Sequence, residues 1–151
     1  MAVSRTLSSP SPMSFLLAFA GGFLATLTLH QLALLGLNGV GLTKASLWVM
    51  NPVPPFEVPR IISLAFWGGV FGLFYPFIQA RFPNVTAFLI AGLIFGAIVP
   101  TLFSWYGVNA LKGNPIGPRS GWVLPGVLIG PIVNGAWGFG TALFLVLFGR
   151  R

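Results

Sequence analysis

From Phe82 to Leu111 the chain reads FPNVTAFLIAGLIFGAIVPTLFSWYGVNAL, without one Lys, Arg, Asp or Glu. A helix rising 1.5 Å per residue needs about 20 predominantly apolar residues to cross a bilayer's hydrocarbon core. This run holds one such helix, placed at Val85–Tyr106. Outward from it, residues 61–80, 120–149 and 6–43 are equally free of charge. Each holds one more helix, at Ile61–Ile78, Val123–Phe148 and Phe15–Leu37. The expected fold is an all-α integral membrane protein, one four-helix transmembrane bundle over residues 1–151. The proline-rich loop 44–60 and the loop 107–122 share one face. The tight connection Ala80–Asn84 predicts an antiparallel hairpin of helices two and three.

Composition gives the same answer. Of 151 residues, 56% are hydrophobic and 6% charged, whereas a soluble domain carries about a quarter charged residues. So few charges cannot cover a compact fold in water. Without cysteine, and with one His and one acid, the chain has no disulfide and no thiolate. It also lacks the means for a Ser-His-Asp triad, a carboxylate pair or a metal cage of its own. No cofactor is expected, and a bis-histidine haem would need two chains. The net charge of +7 comes from single basic residues between apolar runs. Their natural partner is therefore the anionic headgroups of a lipid bilayer, not nucleic acid.

Arg5 before helix one and Ala18-Phe19-Ala20 imitate a secretory signal. The apolar stretch ahead of that site is shorter than the 7–15 residues required, so an uncleaved anchor is expected. Arg5, Arg81, Arg150 and Arg151 fall on the side of the termini. Lys44, Arg60, Lys112 and Arg119 fall on the loop side. Four against four leaves the positive-inside rule undecided. The arginines directly at helix ends favour cytoplasmic termini, with dual insertion as the alternative.

Two loops echo each other. Gly39-Val40-x-x-x-Lys44 returns as Gly107-Val108-x-x-x-Lys112, and Asn51-Pro52-Val53-Pro54-Pro55 as Asn114-Pro115-Ile116-Gly117-Pro118. Trp67-Gly68 and Trp137-Gly138 repeat in the helices that follow. Two parallel helix–loop–helix repeats account for this, as does chance in a Gly- and Pro-rich chain. Small residues at four-residue spacing suit close helix packing in lipid. They are Ala18 and Gly22, Gly68 and Gly72, Gly92 and Gly96, and Gly126 and Gly130. Intrachain packing is the expected use, and a homodimer seam the other.

The segment Lys44 to Met50 is expected at the interface, with Trp48 at headgroup depth. Four prolines between Asn51 and Arg60 exclude a regular helix before Pro59, which suits a first helical turn. Glu57 is expected as a cap and partner for Arg60, or as a ligand-gating carboxylate. The stretch Asn51-Pro-Val-Pro-Pro-Phe-Glu-Val-Pro59, followed by Ser63-Leu-Ala-Phe-Trp-Gly-Gly69, resembles a set of small bacterial inner-membrane proteins with no assigned activity. The resemblance covers the first half of the chain and implies a bacterial inner membrane, with no mechanism attached.

Polar residues at membrane depth are the default functional candidates. They are His30 and Gln31 in helix one, Trp67 in helix two, Thr101 and Ser104 in helix three, and Asn134 in helix four. Pro100 and Pro131 free the carbonyls of Gly96 and Val127. In one reading His30 donates to such a carbonyl or to Asn134. In the other, these residues line a shallow vestibule under the loops, with His30 a pH-responsive donor to a small neutral or anionic solute. Three functions compete. The leading one is a non-catalytic accessory or assembly component of a membrane complex, bound to a larger membrane protein. The second is a homo-oligomeric channel or facilitator. The third, an intramembrane enzyme pairing His30 with Ser104 or Thr101, lacks an orienting acid.

Overall fold

The computed structural model describes residues 10–119 and 121–149. It is mostly helical, with four helices long and apolar enough to cross a membrane. These are α1 (Pro12–Gly39), α2 (Arg60–Arg81), α3 (Val85–Leu111) and α4 (Gly126–Phe148). Arg5, Arg150 and Arg151, used above to weigh orientation, lie outside the described residues.

Local chemistry sets the ends. Ser11 caps α1, its Oγ accepting from Ser14 N at 3.2 Å, with Pro12 in the first turn. Asn84 caps α3 in the same way, accepting from Ala87 N at 3.1 Å. At their far ends α1 and α3 close alike. Gly41 (φ +77°) and Gly113 (φ +65°) take the left-handed conformation that glycine adopts freely. Leu42 N then bonds Leu37 O, and Asn114 N bonds Asn109 O, both at 2.9 Å, the pattern of a Schellman motif.

Three boundaries differ from expectation. Residues 107–111 continue α3, although Gly107 and Asn109 look like loop residues. α4 starts at Gly126, after Pro125, and not at Val123. Pro59 precedes α2 and is not its first turn. α2 is also interrupted after Gly72 and resumes at Tyr75. Pro76 has no N–H for the Gly72 carbonyl, and its ring crowds that carbonyl. Both α1 and α3 contain a wide π-helical turn, at Thr26–His30 and Phe103–Val108.

The chain packs as two hairpins, α1 with α2 and α3 with α4, joined where α1 meets α4. α2 reaches α3 mainly through its second part, Tyr75–Arg81. The tight turn after Arg81 therefore does not make α2 and α3 the closely packed pair expected. Side-chain size explains why. Aromatic rings separate α2 from α3, with Phe71 and Phe103 centred 5.4 Å apart and Phe74 and Phe95 5.9 Å apart. The hairpin seams are glycine. A Cβ on Gly22 would strike the Gly68 carbonyl, and one on Gly72 the Ala18 carbonyl. Gly96 meets Asn134 O and Gly138, while Gly92 meets Ala142 and Gly138. Gly130 packs against Thr101 and Trp105, and Gly126 is buried at the start of α4.

Tyr75 sits at the centre with no exposed surface, edge-on to Phe88, Phe95 and Trp137. Its hydroxyl is 2.9 Å from Gly92 O and 3.0 Å from Gly138 O, bridging α3 and α4. The Trp137 indole donates to Gly22 O at 2.9 Å, tying α4 to α1. In an apolar surround such bonds fix register, because an unpaired carbonyl there is costly.

Candidate functional site

The polar residues singled out above sort into separate groups. The first is built on the wide turn of α1. A π-helical turn widens the backbone ring and unsettles its hydrogen bonding, and Leu27 within it offers its carbonyl to the Trp48 indole at 2.9 Å. Gln31, 2% exposed, accepts from Trp48 N through Oε1 at 3.0 Å. The Gln31 amide is thereby oriented, its Nε2 facing His30 Nδ1 at 3.2 Å.

That contact fixes the histidine. Nε2 of Gln31 can only donate, so Nδ1 of neutral His30 accepts and the ring proton sits on Nε2. Any donation from His30 would come from Nε2, for which no acceptor is found among the described residues. The arrangement also runs against metal ligation, which places the second ring nitrogen as a donor to an outer partner. Trp48 holds an unusual backbone, φ +43°. Two long-range bonds compensate a conformation that costs a non-glycine residue roughly 1 kcal/mol or more. Segment 44–50 is thus folded back on α1. Asn38 supports it, donating from Nδ2 to Ala45 O at 2.9 Å.

The second group is Thr101 and Asn134. Asn134 Nδ2 donates to Thr101 Oγ1 at 2.9 Å, linking α3 to α4. Thr101 is 2% exposed. Ser104 belongs to a third place, a pocket of about 180 Å³ under the second loop. Trp67 is half-exposed on α2, edge-on to Phe66. An apolar groove of about 490 Å³ runs between α3 and α4, lined by Leu93, Ile132 and Phe139 among others.

The two echoing loops fold differently. Asn51 to Arg60 makes a short hairpin, β1 (Pro52–Val53) against β2 (Val58–Pro59), antiparallel with Pro52 opposite Pro59. Arg60 N bonds Asn51 O at 2.9 Å, seating it on the start of α2. Pro54, Pro55, Phe56 and Glu57 form its exposed tip. Glu57 (φ +51°) makes no ion pair among the described residues, so it neither caps α2 nor pairs with Arg60. The tip turns it away from the helix end. In the second loop Lys112, Asn114 and Pro115 are exposed, and Pro118 lines the pocket beside Ser104. Asn109 Nδ2 donates to Gly117 O at 2.8 Å, and Gly117 N to Trp105 O at 3.2 Å. Lys44 is exposed and shows no ion pair among the described residues.

Sequence reasoning passed over Tyr75, Asn109 and the Leu27 carbonyl, and read Trp137 only as part of a repeated step. A tyrosine in mid-span was the available signal, since a buried hydroxyl needs a partner. No family model, curated protein or solved structure matches the chain.

Proposed function

We propose that this chain is a non-catalytic, multi-pass membrane protein acting as an accessory or assembly component of a larger membrane complex. The observation that carries this reading is where its mid-membrane polar groups go. Gln31, Thr101, Asn134, Tyr75 and Trp137 hold helix to helix or loop to helix. Groups used in this way stabilise a scaffold and leave little to hydrate a path or to move a proton. The resemblance of the Asn51–Pro59 segment supports a bacterial inner membrane. The basic residues abutting helix ends at Arg81, Arg150 and Arg151 support cytoplasmic termini.

We further infer that the two hairpins are tandem copies. Ala18 and Gly22 meet Gly68 and Gly72 in one, as Gly92 and Gly96 meet Gly138 and Ala142 in the other. Gly68 and Gly138 both lie on these seams, although Trp67 is half-exposed and Trp137 buried, and the two Schellman ends fall 72 residues apart. In the loop echo Gly39 ends a helix whereas Gly107 lies within the wide turn of α3, so those glycines do not occupy equivalent positions.

The test is mild extraction of the tagged protein from its native membrane, followed by native mass spectrometry. A stoichiometric larger membrane protein is expected, and its recovery should survive His30→Ala. A lone homo-oligomer that conducts solute in proteoliposomes, with flux lost in His30→Ala or Asn134→Leu, would replace this reading with a channel.

A further inference from the structure

The pocket beneath the second loop lies at the loop-side end of α3 and α4. Its walls include Ser104, Trp105, Asn109, Gly117, Arg119 and Gly130. Three of these residues carry side-chain hydrogen-bond donors with no partner among the described residues: the Ser104 hydroxyl, the Trp105 indole N–H and the Arg119 guanidinium. The Trp105 indole nitrogen lies 3.5 Å from where a Cβ of Gly130 would stand, which places it on the pocket wall. No acidic side chain among the described residues competes for these donors, since the single one, Glu57, sits on the tip of the other loop.

The pocket is preformed. Asn109, 5% exposed, is fastened to Gly117 O. Gly117 (φ +115°) leaves no room for a Cβ, which would stand 2.6 Å from the Trp122 ring. Trp105 and Trp122 stand edge to face, 5.4 Å apart. Paired tryptophans beside an arginine at the end of a spanning helix mark the headgroup level of a bilayer. A volume of about 180 Å³ corresponds to roughly six waters, room for a phosphate group and its ester oxygens.

We propose that this pocket binds a phosphate-type oxyanion. Arg119 supplies the charge and paired N–H groups, and Trp105 and Ser104 complete the donor set. A guanidinium suits this role because its planar fork matches two phosphate oxygens at once. The oxyanion can come from an anionic lipid headgroup or from a soluble phosphate. The inference does not depend on the accessory role.

The test uses the full-length protein in a non-ionic detergent. Native mass spectrometry is run with phosphatidylglycerol or phosphatidylcholine, and thermal unfolding with and without inorganic phosphate. Arg119→Gln, Arg119→Lys and, on the other loop, Arg60→Gln are compared. Both sites are exposed, so unchanged melting without ligand certifies folding. Loss of a charge-assisted bond predicts about tenfold or more weaker binding in Arg119→Gln, partial retention in Arg119→Lys and full retention in Arg60→Gln. Preference for phosphatidylglycerol that follows this order assigns the site to a lipid. The same order with inorganic phosphate alone assigns it to a soluble anion. Equal binding by Arg119→Gln and the wild type, an equal loss in Arg60→Gln, or no anion effect at all would overturn the proposal.

Discussion

Gly22→Ala adds one methyl group at the closest approach of α1 and α2. The new Cβ would fall on the Gly68 carbonyl oxygen, 2.9 Å from its carbon and 3.2 Å from Gly72 Cα. All three obstacles are backbone, so no side-chain rotation relieves them and the helices must separate. Overpacking of this kind costs about 1–3 kcal/mol. Separation also stretches the bond from Trp137 to Gly22 O, 2.9 Å long and buried, adding about 1 kcal/mol. A loss of roughly 2–4 kcal/mol is a large part of the 5–15 kcal/mol typical of a folded domain. The control is Gly36→Ala on the same helix, where nothing lies within 4 Å of the added Cβ. There alanine's better helix propensity should be neutral or stabilise by up to about 1 kcal/mol. Reversible unfolding of both variants in mixed micelles, followed by tryptophan fluorescence, separates the two. Equal effects would refute the reading of this seam as a packing constraint.

Gln31→Leu leaves Trp48 N without its acceptor and should loosen segment 44–50; faster amide hydrogen exchange there, with α4 unchanged, is the expected result. Tyr75→Phe keeps the ring and removes the hydroxyl between α3 and α4, at about 1 kcal/mol of unfolding free energy in the same micelle assay. Asn134→Leu breaks the bond to Thr101 and should lower stability by a similar amount without changing oligomeric mass. Glu57→Gln should leave the melting temperature unchanged at low and high salt, because Glu57 has no ion-pair partner among the described residues. A salt-dependent loss would show that the carboxylate is paired after all.

Much of the helical layout was legible because hydrocarbon does not tolerate charge, so charge-free runs delimit the spans. What failed was local. Gly107, Asn109 and the residues between Ser120 and Pro125 gave no clear helix boundary, since the wide turn at Phe103–Val108 carries α3 on through residues that favour loops. Small-residue spacing found Gly68 and Gly72 but in α4 selected Gly126 and Gly130, whereas the seam with Gly92 and Gly96 uses Gly138 and Ala142 further along the helix. Polarity at depth drew attention to Gln31, Thr101 and Asn134, which bond to another helix or to a loop. Their partners could not be read, because Trp48 and Leu27 meet only if α1 widens, and nothing in Thr26–His30 announces a widened turn. Glu57 was misplaced for a related reason. Proximity in sequence to the α2 terminus suggested a cap, whereas the β1–β2 pairing turns residues 54–57 outward.

The two hairpins use a tryptophan at their loop ends in opposite ways, and the contrast bears on where function lies. Beside the wide turn of α1, Trp48 donates its indole N–H to the Leu27 carbonyl, and Gln31 consumes the neighbouring backbone donor. That end is closed by its own side chains. Within the wide turn of α3, Trp105 has no partner for its indole N–H among the described residues, and Ser104 and Arg119 are equally unpaired. Of the two indole donors, only that of Trp48 finds an acceptor among the described residues. A donor set left open costs little at headgroup depth, where water and lipid oxygens are available. It becomes useful there only to something bearing acceptors. The asymmetry therefore points to the α3–α4 end as the place where this protein meets its surroundings.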